Sequence, residues 1–409
     1  MIGAVDSRRM ALLQARVATR STGFWPVAFA FTVAMAFSTV PAPLYPLYGY
    51  STFTVTVVFA AYAVGVVASL LLAGHVSDQV GRRRILIPAL GLELVAAVLF
   101  LSGTSLPVLL AARLITGLGV GMITATATAH LLELNGGSPA RFEMVSTAAN
   151  IGGLGVGTLV AGVLASFVDA PLRTPYLVFV VLLLAAIVAV TLAPETVRPD
   201  PAYRYRPQRV TTGRGPAHLA AATGAFAAFS VFGFFTSVAP GFVAGTLHHP
   251  SRALAGLIVF TVFGGSAAAQ TLTTGIGARR RTTLGLIAQA IGTVTLVTGM
   301  HQASLTVFLI GGILAAAGAG VLFKAGIGTV AALATGRERG AALAGIFLIA
   351  YVALAVSALA IGLAARTTPV ITVMTWFAAA LLLLLGAVAA LTRRAGSADP
   401  IRSREPRHG

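Results

Sequence analysis

Three charged residues stand inside long apolar stretches of this 409-residue chain, and their chemistry needs an explanation. They are Glu93, Arg113 and Lys324. A charge in hydrocarbon is costly unless it is paired or hydrated, so such residues usually mark a path for protons, ions or substrate. A carboxyl group can carry a proton, while a guanidinium or ammonium group can hold an anion. We therefore expect these three residues to take part in substrate binding or proton coupling.

Glu93 and Arg113 are expected at similar depths in neighbouring apolar runs. Arg113 lies about eight residues into its run, roughly 12 Å deep at about 1.5 Å per residue, and Glu93 lies roughly 13 Å from the other side. In a hydrocarbon core about 30 Å thick, these depths differ by only about 5 Å. Two interpretations stay open. Glu93 is a protonatable group that Arg113 tunes while contacting substrate, or the two form a permanent structural ion pair.

The elements that position these residues follow from composition. Apolar residues make up 57% of the chain and charged residues 10%, against about 25% charged in soluble domains, and the mean hydropathy is +0.91. This pattern predicts an integral membrane protein. The chain has no cysteine, which excludes disulfides and thiolate metal sites. It also lacks metal-site spacing and a nucleotide-binding loop, so we expect no cofactor, no metal and no enzymatic activity.

Twelve apolar runs of about 20 residues, long enough to cross the hydrocarbon core, predict an all-α membrane fold. The expected spans are 24–44, 53–73, 85–103, 106–131, 144–168, 174–192, 217–241, 253–273, 283–300, 304–333, 341–364 and 369–391. A proline-rich polar segment separates the first six from the second six. The expected organisation is a tail (1–23), a six-helix half (24–193), a linker (194–216), a second six-helix half (217–391) and a tail (392–409).

The basic residues are distributed very unevenly between the two sides of the membrane. Only Arg173, Arg252 and Arg366 fall in loops on one side, whereas nearly all the other 25 fall on the side of the tails and the linker. The positive-inside rule therefore predicts a multi-pass protein of the bacterial inner membrane with both termini cytoplasmic. Topology and anionic lipid account for the net charge of +17, so we expect no nucleic-acid partner.

The two halves resemble one another in sequence. FSTVPAP at residues 37–43 recurs as FTSVAPG at 235–241, and GRRR at 81–84 recurs as ARRR at 278–281. GVG at 119–121 recurs as GAG at 318–320. The offsets stay between 197 and 199, and the matches keep their chain order. Parallel six-helix repeats of this kind are typical of secondary transporters that rock two halves about a central site.

These features resemble the major facilitator superfamily. The loop after the second span matches the family's signature of Gly, Asp, Gly and a basic run, although Val76 and Gln79 depart from it. A second pattern, an Arg in the fourth helix followed by spaced glycines, is also matched. The matching residues are Gly74, Asp78, Gly81, Arg82, Arg83 and Arg84 in the loop, and Arg113, Gly117, Gly119 and Gly121 in the fourth span. The resemblance covers essentially the whole chain and implies twelve helices in two six-helix repeats.

The loop from Gly74 to Arg84 then has two interpretations. As a gating loop, its charges would lock the two halves together in one state and release them in the other. As a topology determinant, its arginines would only hold the loop in the cytoplasm, with Asp78 as their counter-charge. The acidic residues and His130 around the next inner loop, including Glu133 and Glu143, are expected to pair with the basic loop.

Further candidates come from the helices that the resemblance places around a central cavity. Four uncharged polar residues are candidates for substrate or proton coupling, although each also suits a hydrogen bond between packed helices: Tyr62, Asn150, Gln270 and Tyr351. Gly153 and Gly157 form a small-residue face for close helix packing. For Lys324 three roles stay open: it binds substrate, it takes part in gating of the transport path, or it extends its ammonium group to the membrane surface. Aromatic residues are expected at the cavity entrance: Trp25, Tyr45, Tyr48, Phe234 and Phe235.

We expect a secondary active transporter that works by alternating access, is a monomer in the bilayer, and exports small amphipathic compounds against a proton gradient. Few acidic groups are available to line the cavity, which leaves a symporter or facilitator for a sugar-like or anionic metabolite as the alternative. A membrane sensor without transport activity is the alternative from another class, but no soluble domain is present that would transmit a signal.

Overall fold

The computed structural model describes residues 22–207, 210–211, 213–334 and 338–397, which contain twelve helices long and apolar enough to cross a membrane. The helices are α1 (Phe24–Thr39), α2 (Thr52–Ala73), α3 (Arg82–Ser102), α4 (Leu106–Leu134), α5 (Pro139–Phe167), α6 (Thr174–Leu192), α7 (Pro216–Ser237), α8 (Arg252–Leu272), α9 (Ala278–His301), α10 (Leu305–Leu333), α11 (Glu338–Ala364) and α12 (Val370–Ser397). This confirms the predicted all-α membrane fold. Residues 1–21 and 398–409 of the two predicted tails lie outside the described residues.

Several helices extend beyond the predicted spans. α3 begins at Arg82, α5 begins at Pro139, and α12 continues to Ser397, so that residues 392–397 of the predicted tail are helical. An apolar run marks only the part of a helix that lies in hydrocarbon, whereas backbone hydrogen bonding continues into the headgroup region. Charged side chains at these ends can reach water while the helix continues.

The internal repeat is visible in the backbone. α1 ends at Thr39 and is followed by a 3₁₀ segment (Ala42–Tyr48), and α7 ends at Ser237 and is followed by a short helix (Ala239–Gly245). Both breaks fall in the repeated motif that contains a proline. Proline lacks an N–H and clashes with the preceding turn, which explains why the helix breaks at the same place in each half.

One membrane face carries the linker and the Gly74–Arg84 loop, and we call it the linker face. The linker is tied to that loop because Asp200 donates its backbone N–H to the Gln79 carbonyl oxygen at 2.9 Å. The other face, which we call the opposite face, carries the connections between α1 and α2 and between α7 and α8. The two halves meet mainly where α2 packs on α11 and α5 packs on α8.

On the opposite face the two halves are in close contact. The Arg252 guanidinium of α8 donates to the Ala165 carbonyl of α5 at 2.9 Å, and the Ser166 hydroxyl accepts the Ala253 N–H at 2.9 Å. Deeper along the same helices, the Thr158 hydroxyl donates to the Gly256 carbonyl at 3.2 Å. These helices touch through backbone atoms, so this side of the molecule is closed.

Candidate functional site

Arg82 is the centre of the charge cluster at the linker face. Its guanidinium lies 2.5 Å from Asp78 and 2.6 Å from Glu133, and it also donates to the Ser77 hydroxyl at 2.8 Å. A second nitrogen reaches the other Glu133 oxygen at 3.2 Å, so the contact with Glu133 is bidentate. The expected pairing of Glu133 with the basic loop is confirmed.

The linker carboxylate Glu195 caps the start of α3. Its two oxygens accept the backbone N–H groups of Arg82 at 2.9 Å and Arg83 at 3.0 Å. A carboxylate at a helix N-terminus satisfies free N–H groups and complements the helix dipole. Gly81 precedes them with φ of 117°, and a Cβ there would lie 2.9 Å from a Glu195 oxygen. Glycine is therefore required at this turn for two reasons. The cap by Glu195 was not predicted from the sequence.

The partners of Arg82 all belong to the first half or to the linker. Among the described residues, Arg83 and Arg84 form no ion pair, and Gly74 lies on the wall of a cavity. The lock between the halves that the gating-loop interpretation expects is therefore not formed in this conformation. The loop instead holds α2, α3, α4 and the linker together.

A cavity of about 70 Å³ lies between the halves near the middle of the molecule. Nine residues on its walls are aromatic, and they come from both halves: Tyr45, Phe59 and Tyr62 from the first half, and Phe229, Phe232, Phe263, Phe323, Phe347 and Tyr351 from the second. Among the residues that the structure describes, Arg113 is the only charged one on these walls. We call this space the central cavity.

Arg113 is held firmly in the wall of the central cavity. Its side chain is 2% exposed, and one guanidinium nitrogen donates to the Ser38 carbonyl at 2.7 Å. The guanidinium lies over the Tyr62 ring at 4.5 Å from the centroid and near the Phe59 ring at 5.7 Å. Aromatic faces attract a cation, so these rings stabilise the charge without neutralising it. The positive charge remains available to an anionic group in the cavity.

Glu93 lies behind the cavity wall. It is fully buried, and neither carboxylate oxygen has a hydrogen-bond partner. It lines neither the central cavity nor the larger space that continues from that cavity to the linker face. Its carboxylate packs against α4, where a Cβ at Gly119 would lie 2.9 Å from it. Among the described residues, Glu93 forms no ion pair with Arg113, so a permanent ion pair is not present.

The second half has a buried amide in α9. Gln289 is fully buried, and a Cβ at Gly318 of α10 would lie 2.2 Å from its backbone nitrogen. Gln289 donates its amide to the Ala227 carbonyl of α7 at 2.8 Å. The helix α9 thus carries no carboxyl group, whereas α3 of the first half carries Glu93.

A larger space of about 810 Å³ continues from the central cavity to the linker face, and we call it the vestibule. Its mouth includes His75, Asp78 and Gly340. Four residues predicted for substrate binding or proton coupling line it, namely Asn150, Gln270, Lys324 and Tyr351. All of them except Lys324 also line the central cavity. The path is therefore open on the linker face and closed on the opposite face.

Asn150 occupies an unusual stretch of backbone. Residues Ala148–Gly152 form a π-helical turn in the middle of α5, which the sequence did not predict. Such single π turns are frequent at functional sites because they disrupt the regular hydrogen-bond ladder. Here the turn places Asn150 at the junction of the central cavity and the vestibule.

Lys324 connects the two halves near the linker face. Its ammonium forms an ion pair with Glu143 of α5, and it donates to the Gln270 carbonyl at 2.8 Å and the Thr274 hydroxyl at 3.1 Å. The expectation that Glu143 pairs with the basic loop is wrong, since Glu143 reaches the second half instead. Lys324 does not simply extend to the membrane surface, because these contacts hold it in the vestibule wall.

Tyr62 of α2 and Tyr351 of α11 line the central cavity from opposite halves. The expected aromatic entrance is largely wrong. Tyr45 lines the central cavity, but Trp25 is 61% exposed, Tyr48 hydrogen-bonds Tyr176, and Phe234 and Phe235 are buried in the second half. Hydrophobicity alone did not indicate which helix face they occupy.

The predicted packing glycines lie at close backbone approaches. A Cβ added at Gly117 would lie 2.1 Å from the Tyr62 carbonyl oxygen, and one added at Gly121 would lie 2.8 Å from the Ser69 side chain. A Cβ added at Gly157 would lie 1.8 Å from the Ala36 carbonyl oxygen. At Gly153 the nearest atom, Met35 Cβ, would be 3.0 Å away. In the described residues, no group of three or more His, Cys, Asp or Glu side chains is placed to hold a metal ion.

Comparisons with known proteins agree with this architecture. Residues 27–221 match the family model of the Major Facilitator Superfamily. The arabinose-proton symporter of Bacillus subtilis (strain 168) is 32% identical over 87 residues, which are 21% of this chain and 19% of the symporter. The chain thus aligns with about a fifth of that relative's length. The crystal structure of the human organic anion transporter MFSD10 (TETRAN) matches with a TM-score of 0.68 at 18% identity, covering 90% of this chain and 99% of that one. At this identity, the structural match establishes the fold alone.

Proposed function

Since the chain belongs to the Major Facilitator Superfamily, we propose that it is a secondary active transporter that works by alternating access. One observation carries this proposal: the path between the halves is open at the linker face and closed at the opposite face. Rocking of the halves would close the vestibule and separate α5 from α8. The central cavity would then face the other side.

We propose that the substrate is a small amphipathic compound that carries a negative charge. The aromatic walls of the central cavity suit an apolar body, and Arg113 suits a carboxylate or a similar anion. No carboxylate lines the central cavity among the described residues, so a cationic substrate would find no counter-charge there. The structural relative named as an organic anion transporter supports this class.

We propose that protons drive the transport, with Glu93 as the protonatable group. A buried carboxyl group without a hydrogen-bond partner is costly as an anion and can donate once it is protonated. Export against the proton gradient is our first choice of direction. Symport is the second, and the relative named as a proton symporter favours it.

We also propose that the linker face is cytoplasmic, that the protein resides in a bacterial inner membrane, and that it acts as a monomer. The basic side chains on the linker face support the orientation. The two halves of one chain enclose the whole path, so a second copy is not needed to complete it.

The proposal can be tested with purified protein in liposomes that contain a pH-sensitive dye. Amphipathic organic anions, cationic dyes and sugars would be added separately, and substrate uptake and interior pH would be followed together. We expect flux of the organic anions with proton movement. Anion flux without proton movement would retain transport but refute coupling. A preference for cations or sugars would refute the substrate class, and absence of flux for every compound would favour the sensor alternative.

A further inference from the structure

Two donor groups on residues that line the central cavity have no acceptor in the described part of the protein. They are the Tyr45 hydroxyl and the Arg113 Nε, and both atoms are buried. Tyr45 is 5% exposed and Arg113 is 2% exposed. Among the described residues, no other buried side-chain atom without a partner belongs to a residue that lines this cavity. Buried polar groups in folded proteins are nearly always paired, so these two need an explanation.

One stretch of chain positions both donors. Ser38, Ala42 and Tyr45 all line the central cavity, with Tyr45 in the 3₁₀ segment that follows α1. The Ser38 carbonyl accepts a hydrogen bond from another guanidinium nitrogen of Arg113 at 2.7 Å and so fixes the arginine against this stretch. The cavity has a volume of only about 70 Å³, so groups on its walls are within reach of one small ligand. The two donors therefore belong to a single binding site.

A neighbouring tyrosine shows what a structural hydroxyl looks like in the same segment. The Tyr48 hydroxyl is hydrogen-bonded to the Tyr176 hydroxyl at 2.8 Å, and Tyr48 lines neither the central cavity nor the vestibule. The Tyr45 hydroxyl has no such partner, and a polar group buried without a partner lowers stability. A phenylalanine would fill the same space without this cost. The fold alone therefore does not account for the hydroxyl of Tyr45.

The chemistry of the two donors suits a carboxylate. A carboxylate has two oxygens, so one can accept from the Tyr45 hydroxyl while the other accepts from the Arg113 Nε. Its single negative charge matches the single positive charge that the described residues place on the cavity wall. A phosphate monoester brings a third oxygen and additional charge, which the aromatic walls would leave desolvated and unpaired.

We propose that Tyr45 determines the specificity of the central cavity by donating a hydrogen bond to a substrate carboxylate that Arg113 also binds. This inference rests on the proposed function, and it narrows the substrate class from amphipathic anions to monocarboxylates. The substrate supplies the acceptors that the chain itself does not. Tyr45 thus lowers the stability of the protein without ligand and raises its affinity for the carboxylate.

The test compares three compounds that share one apolar body and differ in the head group: 1-naphthylacetate, 1-naphthylacetamide and 1-naphthyl phosphate. Their affinities for the purified full chain in detergent would be measured by equilibrium dialysis. We expect the parent to bind the carboxylate most tightly. Tyr45→Phe should weaken carboxylate binding roughly 10- to 100-fold, which is the effect of losing one hydrogen bond to a charged group. It should weaken amide binding far less, because a hydrogen bond between neutral groups contributes less.

The matched control is Tyr48→Phe, which removes a hydroxyl from the same 3₁₀ segment but from outside the cavity. Its affinity for each compound should equal that of the parent. Its melting temperature should fall, because the buried Tyr176 hydroxyl loses its partner. Tyr45→Phe should show the opposite pattern, with weaker carboxylate binding and a melting temperature equal to or above that of the parent.

The outcomes separate this inference from the proposed function. If the parent binds the carboxylate and Tyr45→Phe binds it equally well, the role of Tyr45 is overturned while the proposed anion transport stands. A lower melting temperature with unchanged affinity in Tyr45→Phe would assign the hydroxyl to the fold instead. Tighter binding of the phosphate than of the carboxylate would overturn the monocarboxylate class. A parent that binds neither anion would overturn both the inference and the proposed substrate class.

Discussion

Lys324 of α10 forms an ion pair with Glu143 of α5 and so joins the two halves beside the vestibule. Both side chains are partly exposed, so the pair is accessible to water and can break without leaving a deeply buried charge. On the opposite face, the halves are joined by contacts between α5 and α8. Conversion between two states requires one set of contacts to form as the other breaks.

We predict that Glu143→Gln widens the mouth of the vestibule. The substitution removes the ion pair with Lys324 but keeps the size of the side chain. Because the chain has no cysteine, a single Ala344→Cys on the vestibule wall can report access to a water-soluble thiol reagent. Labelling should become several-fold faster in Glu143→Gln. The control Glu338→Gln, at the start of α11 and in no described ion pair, should leave the rate unchanged. Equal rates in both variants would show that the ion pair does not restrict access.

We predict that Arg113→Gln weakens binding of an organic anion at least tenfold. The substitution removes the one charge that the described part of the chain places on the wall of the central cavity. Arg113→Lys should recover only part of the affinity, since an ammonium group cannot reproduce the planar fork or its stacking on Tyr62. Substrate affinity would be measured by equilibrium binding, with an uncharged analogue as the comparison. If the analogue lost as much affinity as the anion, Arg113 would have a structural role instead.

We predict that Glu93→Gln stops coupled proton movement while the protein remains folded. The amide has nearly the size of the carboxyl group and carries no charge, so the fully buried site should accept it without loss of thermal stability. Exchange of substrate across the membrane without a proton gradient should continue, because neither the inward nor the outward movement of substrate then requires net proton transfer. Interior pH and substrate exchange would be recorded on the same liposomes. Persistent proton movement in this variant would exclude Glu93 as the carrier.

We predict that Gly157→Ala lowers the stability of the protein. Its new Cβ would lie 1.8 Å from the Ala36 carbonyl, so α5 and α1 would have to separate, at a cost of about 1–3 kcal/mol. The melting temperature in detergent should fall. The control is Gly91→Ala in α3, where no atom lies within 4 Å of the new methyl group and the better helix former should be neutral or stabilising. An unchanged melting temperature in Gly157→Ala would mean that the two helices separate at little cost.

The sequence by itself determined the twelve spans and the two repeats. These features depend on the length and order of apolar runs, which are local properties. The helix breaks that end α1 and α7 were not predicted, since the expected spans 24–44 and 217–241 run through them. The pairing of Arg82 with Glu133 was also predictable in kind, because the only nearby partners for a basic loop are acidic groups at the ends of adjacent helices.

Only the tertiary structure decided which of these charges face the substrate path. The sequence predicted that Glu93 and Arg113 lie at similar depths in the membrane. Depth does not define the direction in which a side chain points, and the rotation of α3 about its axis turns Glu93 towards Gly119 and away from the central cavity. The contact between Glu143 and Lys324 joins residues from different halves, and the π turn that positions Asn150 depends on how α5 packs between α1 and α8. Helix rotation and contacts between halves are set by the packing of many side chains at once, which no local pattern in the sequence specifies.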